Sequence, residues 1–119
     1  MATTVSRRFS VADRPRVVVS KRCEAVDSTK TVVALTGELD AAALNTLFEA
    51  FDKAIAQDDS DVVVDLAGVE FIGAAWIGTL VRSRTFLQSQ DRVLTLRSPS
   101  RGINRLFDLC GLSYLMEPV

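Results

Sequence analysis

The stretch Val62-Val63-Val64-Asp65-Leu66 constrains this chain more than any other part of it. Three successive β-branched residues, with none of the alternation of a strand that has one wet face, predict a central strand covered on both sides. Such a strand needs helices laid over it, and the flanking patterns supply them. Before it, Leu44, Leu47, Phe48, Phe51 and Ile55 recur at i, i+3, i+4, i+7 and i+11, which puts them on one helical face that must be buried. After it, Ile77, Leu80, Val81 and Leu87 line the inner side of a helix over 75–88, whose outer side carries Arg82, Ser83 and Phe86.

Local signals extend this nucleus in both directions. Val17, Val18 and Val19 open a strand, Asp27 and Ser28 favour a turn, and the β-branched run over 31–36 predicts its antiparallel partner. Gly37 breaks that strand, and Asp40 can cap the first helix by accepting a bond from a free amide of its first turn. Downstream, a strand over 93–96 ends before Pro99. Ile103, Leu106, Phe107 and Cys110 then repeat the helical spacing up to Gly111, which places Cys110 on a core face. Two strands, helix, strand, helix, strand, helix is the order of a small α/β domain with a mixed, mainly parallel sheet of four to five strands.

At 119 residues the chain builds one core and is too short for two. It contains no histidine, so Ser-His-Asp and Cys-His nucleophilic catalysis and His-ligated metals are excluded. Fourteen Lys plus Arg against fifteen Asp plus Glu provide no basic field for a phosphate backbone, so no nucleic-acid partner is expected. No run is apolar for the 18 or so residues of a membrane span. Residues 1–16 carry four Arg and one Asp without an apolar centre, unlike a secretory signal. They read as a flexible N-terminal arm ahead of a domain over 17–119 in a cytoplasmic protein.

The chain offers little chemistry. Asp58, Asp59 and Asp61 fall in a solvated turn without the spaced ligands of a calcium loop. Gly68, Gly73 and Gly78, five residues apart, match neither the dinucleotide fingerprint nor the phosphate-binding loop. No general base, metal set or activated nucleophile can be assembled, so no enzyme, cofactor or catalytic residue is expected. Cys23 and Cys110 read as two small buried thiols, or as a redox pair if their α carbons come within about 7 Å.

One segment stands apart: Phe71-Ile72-Gly73-Ala74-Ala75-Trp76-Ile77-Gly78, at the junction of the central strand and the second helix. Its small residues permit close approach of another backbone. Trp76, the only Trp, falls roughly 70° from the centre of the apolar face at about 100° per residue. Two readings follow, tight local packing over a core Trp, or a protein-binding patch made with Phe86 on the same helix.

From Val17 onward the sequence resembles the STAS-domain anti-sigma-factor antagonists of bacterial partner-switching systems. Leu35-Thr36-Gly37-Glu38-Leu39-Asp40 is similar to that family's strand end and helix start. Val62-Val63-Val64-Asp65-Leu66 with Val69-Glu70-Phe71-Ile72 is similar to its central strand. Ser98-Pro99-Ser100 and Leu109-Cys110-Gly111-Leu112 are similar to the ends of its last helix. In the family the next segment usually reads Asp-Ser-Ser-Gly-Leu-Gly, and a kinase that is also the anti-sigma factor phosphorylates the second Ser. Here Gly73 stands at the Asp position, Ala74 and Ala75 replace both serines, Trp76 replaces the first Gly, and Ile77 and Gly78 keep the pattern.

The resemblance implies a regulator that binds an anti-sigma factor of the serine-kinase type, or a related protein, as a monomer or weak homodimer. The contact is expected through Gly73, Ala74, Ala75, Trp76, Thr79, Arg82, Ser83 and Phe86. It also implies that no phosphoryl group can be accepted at Ala75, which has no hydroxyl. A different reading keeps the fold as a scaffold, or as a module sensing a nucleotide or lipid at the small-residue loop.

Overall fold

The fold was obtained as a computed structural model, which describes residues 15–25 and 28–117. Strands β1 (Arg16–Ala25) and β2 (Ser28–Leu39) pair antiparallel, with Val17 opposite Leu35 and Val19 opposite Val33. Helix α1 (Ala41–Ile55) then returns the chain to β3 (Asp61–Ile72), and α2 (Ala74–Gln88) returns it to β4 (Leu94–Arg97). Helix α3 (Arg101–Leu109) and a single 3-10 turn, Ser113–Leu115, follow. Among the described residues the sheet has four strands in the order β1-β2-β3-β4, with β2, β3 and β4 parallel. Met116 adds one further parallel rung beside Leu96. This is the mixed α/β sheet expected from the alternation of strand and helix patterns.

Both helix starts that carry a capping side chain use it as local chemistry dictates. The Asp40 carboxylate accepts from the Ala43 amide at 2.8 Å, and the Ser100 hydroxyl oxygen accepts from the Ile103 amide at 3.2 Å. Gly73, which caps α2, has no side chain for the task.

The helices pack on one face of the sheet. Val33, Leu35 and Leu39 of β2, Val62, Val64 and Leu66 of β3, and Leu94 and Leu96 of β4 meet Phe51 and Ile55 of α1, Trp76, Leu80 and Leu87 of α2, and Ile103 and Phe107 of α3. Successive strand residues point to opposite faces. Val63 therefore projects away from the helices, and it too is fully buried. Coverage of β3 on both sides is what its unbroken apolar run predicts.

Strand β3 runs past the end that its composition suggests. Its pairing with β2 slips between Ala34 and Thr36 and again between Gly37 and Glu38, so β3 holds extra residues in bulges and continues through Gly68 to Ile72. Gly68 is needed at the first slip, because a Cβ there would lie 2.7 Å from Thr36 Cγ2. The bulges bend the end of β3 toward α2, which starts two residues later.

Several side chains sit elsewhere than their spacing predicts. Phe48 is half exposed, because the buried stripe of α1 turns toward Phe51, Ala54 and Ile55 and leaves Phe48 on the rim facing α2. Cys110 is exposed, as is Cys23. Helix α3 ends at Leu109, so Cys110 leaves the stripe that buries Ile103 and Phe107. Neither thiol is a core residue. Arg16, assigned above to the arm, is the first residue of β1, and residues 1–14 of that arm lie outside the described residues.

Arg92 is a core residue that no pattern in the sequence announced. It is 5% exposed, and its guanidinium donates to Ile55 O at 2.7 Å and to Ser60 O at 2.9 Å. A cation is thereby held against a free carbonyl at the C-terminal end of α1, where the helix dipole favours it.

Candidate docking surface

The corner where β3 becomes α2 is tied to the end of β2. The Gly73 amide donates to Leu39 O at 2.8 Å, and Gly73 O accepts from the Trp76 and Ile77 amides, both at 3.1 Å. Ala74 and Ala75, the first two residues of α2, are exposed, and Gly73 is half buried. The first turn of α2 holds no acidic side chain, so the partial positive charge of that helix end is uncompensated at the surface.

Trp76 lies beneath this corner rather than on it, with none of its surface exposed. Its ring meets Phe51 edge-on, at 5.7 Å between centroids and 81° between planes. The wheel position of Trp76 is marginal relative to the sheet alone, but α1 runs alongside α2 and gives the indole a second apolar wall. The indole N–H has no hydrogen-bond acceptor. Trp76 is thus a packing residue, and the expectation that it contacts a partner is corrected.

Thr79 and Ser83 are buried as well, but they face a groove. They are 3% and 9% exposed, and the Thr79 hydroxyl donates to Ala75 O at 2.9 Å. Both form the floor of a groove of about 170 Å³ between α1 and α2, with Ile55 beside them. The rim of that groove is Phe48 and Phe86, each about half exposed, with Asp52 and Arg82. Ala75, Thr79, Arg82 and Phe86 fall at i, i+4, i+7 and i+11, so corner and groove form one continuous stripe along α2.

Of the eight residues singled out from the sequence, Ala74, Ala75, Arg82 and Phe86 are exposed and Gly73 is half buried. Sequence reasoning missed Phe48 and Asp52, which come from α1. Phe71, which opens the segment singled out from the sequence but is not among the eight, is half exposed near the end of β3. Only the pairing of α1 with α2 brings Phe48 to the same groove as Phe86.

A larger cleft, of about 520 Å³, lies at the β4–α3 corner between Arg97, Pro99, Arg101 and Glu117. The Arg97 guanidinium donates to both Glu117 carboxylate oxygens at 2.8 Å and holds that carboxyl below its ordinary range. Among the described residues, no group of three or more His, Cys, Asp or Glu side chains is placed to hold a metal. No helix among them is long and apolar enough to cross a membrane.

A family model described as "Mlab, STAS domain" matches residues 23–117. The anti-sigma-B factor antagonist of Staphylococcus epidermidis is 33% identical over 85 residues, which cover 71% of this chain and 79% of that protein. The chain belongs to the STAS family of anti-sigma-factor antagonists. The STAS fold is seen again in solved structures. The unphosphorylated anti-sigma factor antagonist SpoIIAA superposes with a TM-score of 0.66 at 19% identity, over 86% of this chain and 88% of that one. A STAS domain protein from Planctomyces limnophilus superposes with a TM-score of 0.71 at 22% identity, over 84% of this chain and 86% of that one.

Proposed function

We propose that this STAS domain binds an anti-sigma factor of the serine-kinase type, or a closely related regulator, through the stripe from Ala74 and Ala75 to Phe86, and that no phosphoryl switch operates there. The observation that carries the reading is the exposed, hydroxyl-free start of α2. Ala74 and Ala75 occupy the two positions where the family usually has Ser, and the nearest hydroxyls along α2, on Thr79 and Ser83, are buried. Phosphorylation at the usual site would add about −1.5 to −2 charge at a helix N-terminus, and this chain has nowhere at that corner to receive it. The antagonist then acts by mass action alone, competing for the anti-sigma protein at a level set by its own abundance.

The apolar rim supports a protein ligand. Phe48 and Phe86, half exposed on either side of the groove, offer aromatic anchors of the kind that dominate interfaces, with Arg82 between them. The sensing alternative has less support, since the cleft of about 520 Å³ lies at the β4–α3 corner and not beside the small-residue loop.

The test is incubation with the host's anti-sigma kinases and ATP, comparing the natural chain with a Gly73→Asp, Ala74→Ser, Ala75→Ser variant. Both should bind a kinase, and only the variant should incorporate phosphate and then release its partner. Phosphate on the natural chain at Thr79 or Ser83, or failure of the natural chain to bind any kinase that the variant binds, overturns the proposal.

A further inference from the structure

The groove between α1 and α2 carries unused bonding capacity around an apolar slot. Ser83 lies in its floor and is only 9% exposed, yet among the described residues its hydroxyl has no hydrogen-bond partner. A hydroxyl sunk that deep is costly until something in the groove bonds to it. Arg82, on the rim, is also poorly satisfied. Its guanidinium folds back along α2 over Gly78, where a Cβ would stand 3.2 Å from Nη1. Its one hydrogen bond among the described residues is a long one, 3.4 Å from Nη2 to the Thr79 hydroxyl oxygen, so most of its five N–H donors are left over. On the α1 side of the rim stands Asp52, and among the described residues neither Asp52 nor Arg82 forms an ion pair. Two opposite charges thus border one groove without reaching each other.

We infer that this groove seats an amphipathic helix of the partner protein, which sets a side chain with an apolar stem and a hydrogen-bonding tip between Phe48 and Phe86. An acidic residue of that helix lies beside Arg82 and a basic one beside Asp52. The inference rests on the docking role proposed above and adds the partner's chemistry to it. Size favours a single side chain: the groove holds about 170 Å³, below the roughly 300–1,000 Å³ of small-molecule pockets. Backbone accounting favours a helix. An extended peptide would lay unpaired N–H and C=O groups against two helices whose own backbone groups are already bonded, whereas a helix arrives with its backbone satisfied. Length agrees, because Phe48 and Ile55 stand at i and i+7 on α1, as do Thr79 and Phe86 on α2, so each wall is about two turns or roughly 10 Å long. The two rim charges also fix direction. A helix laid the other way round would exchange its acidic and basic sides and set like charges together on both rims.

Titration calorimetry of the full-length protein against the host's anti-sigma kinases tests this. Ser83→Ala should weaken binding about two- to tenfold and leave the urea midpoint unchanged or raised, because it removes a hydroxyl that gains its partner only in the complex. Arg82→Glu and Asp52→Lys should each weaken binding about tenfold or more, whereas Arg105→Glu, the same reversal placed on exposed α3, should stay within about twofold. Hydrogen exchange on the kinase should show that the segment protected by binding is a helix with an acid and a base on either side of an apolar stripe; protection confined to a loop overturns the inference. Ala75→Glu separates this inference from the docking role beneath it. If it weakens binding while Ser83→Ala, Arg82→Glu and Asp52→Lys do not, the groove inference falls and docking at the corner stands. If no host kinase binds, or none of these four variants has an effect, both fall. Sedimentation of the natural chain as a dimer that Phe86→Asp dissociates assigns the groove to a second copy and overturns the inference as well.

Discussion

Trp76 stands edge-on to Phe51, 5.7 Å between ring centroids, and neither ring has any exposed surface. The pair locks the first turn of α2 to the middle of α1, so the positions of Ala74 and Ala75 above it depend on this contact. An edge-to-face pair of aromatics adds about 0.5–1.5 kcal/mol beyond its area burial.

Trp76→Ala should therefore act as a core deletion, costing about 3–5 kcal/mol in urea denaturation, with any loss of partner binding following from the lost fold. Trp76→Phe retains an edge contact and removes an unpaired indole N–H, a group whose burial costs about 1–3 kcal/mol. It should cost at least about 2 kcal/mol less than the Ala variant. Equal losses in the two variants would refute a packing role for an aromatic ring at this position.

Ala75→Glu separates stability from docking. Position 75 is exposed in a first turn that has no acidic residue, so a carboxylate there should leave stability unchanged or raise it by about 0.3–1 kcal/mol. Partner affinity should fall at the same time. Gly73→Asp tests the same helix end from its cap: a Cβ at Gly73 meets Leu39 O at 3.5 Å, an ordinary contact, and the new carboxylate should stabilise α2 by a few tenths of a kcal/mol.

Gly68→Ala should destabilise the domain by about 1–3 kcal/mol, because its methyl carbon would stand 2.7 Å from Thr36 Cγ2 across the β2–β3 bulge. Thr36→Ser removes that methyl. The double variant should recover most of the loss, and a thermodynamic cycle on the four proteins measures the coupling. Additive losses would place the strain in the backbone of β3 instead.

Acid stability should carry the mark of Asp58. The Lys21 ammonium bonded to it, with help from the Ser60 amide at 2.8 Å, lowers its pKa from 3.8 to about 2. A carboxyl whose pKa is depressed in the folded state stabilises above its unfolded value and loses that contribution as pH falls through the folded one. The effect is thus full above about pH 4 and gone below about pH 2. Urea midpoints measured across that window should fall less steeply for Asp58→Asn than for the natural chain. At pH 7, where the contribution is fully present, Asp58→Asn should be the less stable of the two, by a small margin because the pair is exposed and screened.

The sequence by itself determined which segments became strands and helices. The apolar run over 62–66 required cover on both sides, and Val62, Val64 and Val63 are buried on opposite faces as it demanded. Asp40 and Ser100 fixed two helix starts by bonds that reach only three residues along the chain, so they were legible without any tertiary knowledge. The missing hydroxyls at Ala74 and Ala75 were likewise plain. Tertiary structure alone decided which face of each helix met another helix. A helical wheel measures angle about one axis and knows nothing of a neighbouring axis. Thr79 and Ser83 therefore read as surface residues, and Trp76 as either core or patch, until α1 was laid beside them, and Phe48 read as core until it was left on the rim. Arg92 and Cys110 teach the same lesson, one buried by carbonyls distant in sequence and the other exposed because its helix stopped one residue short.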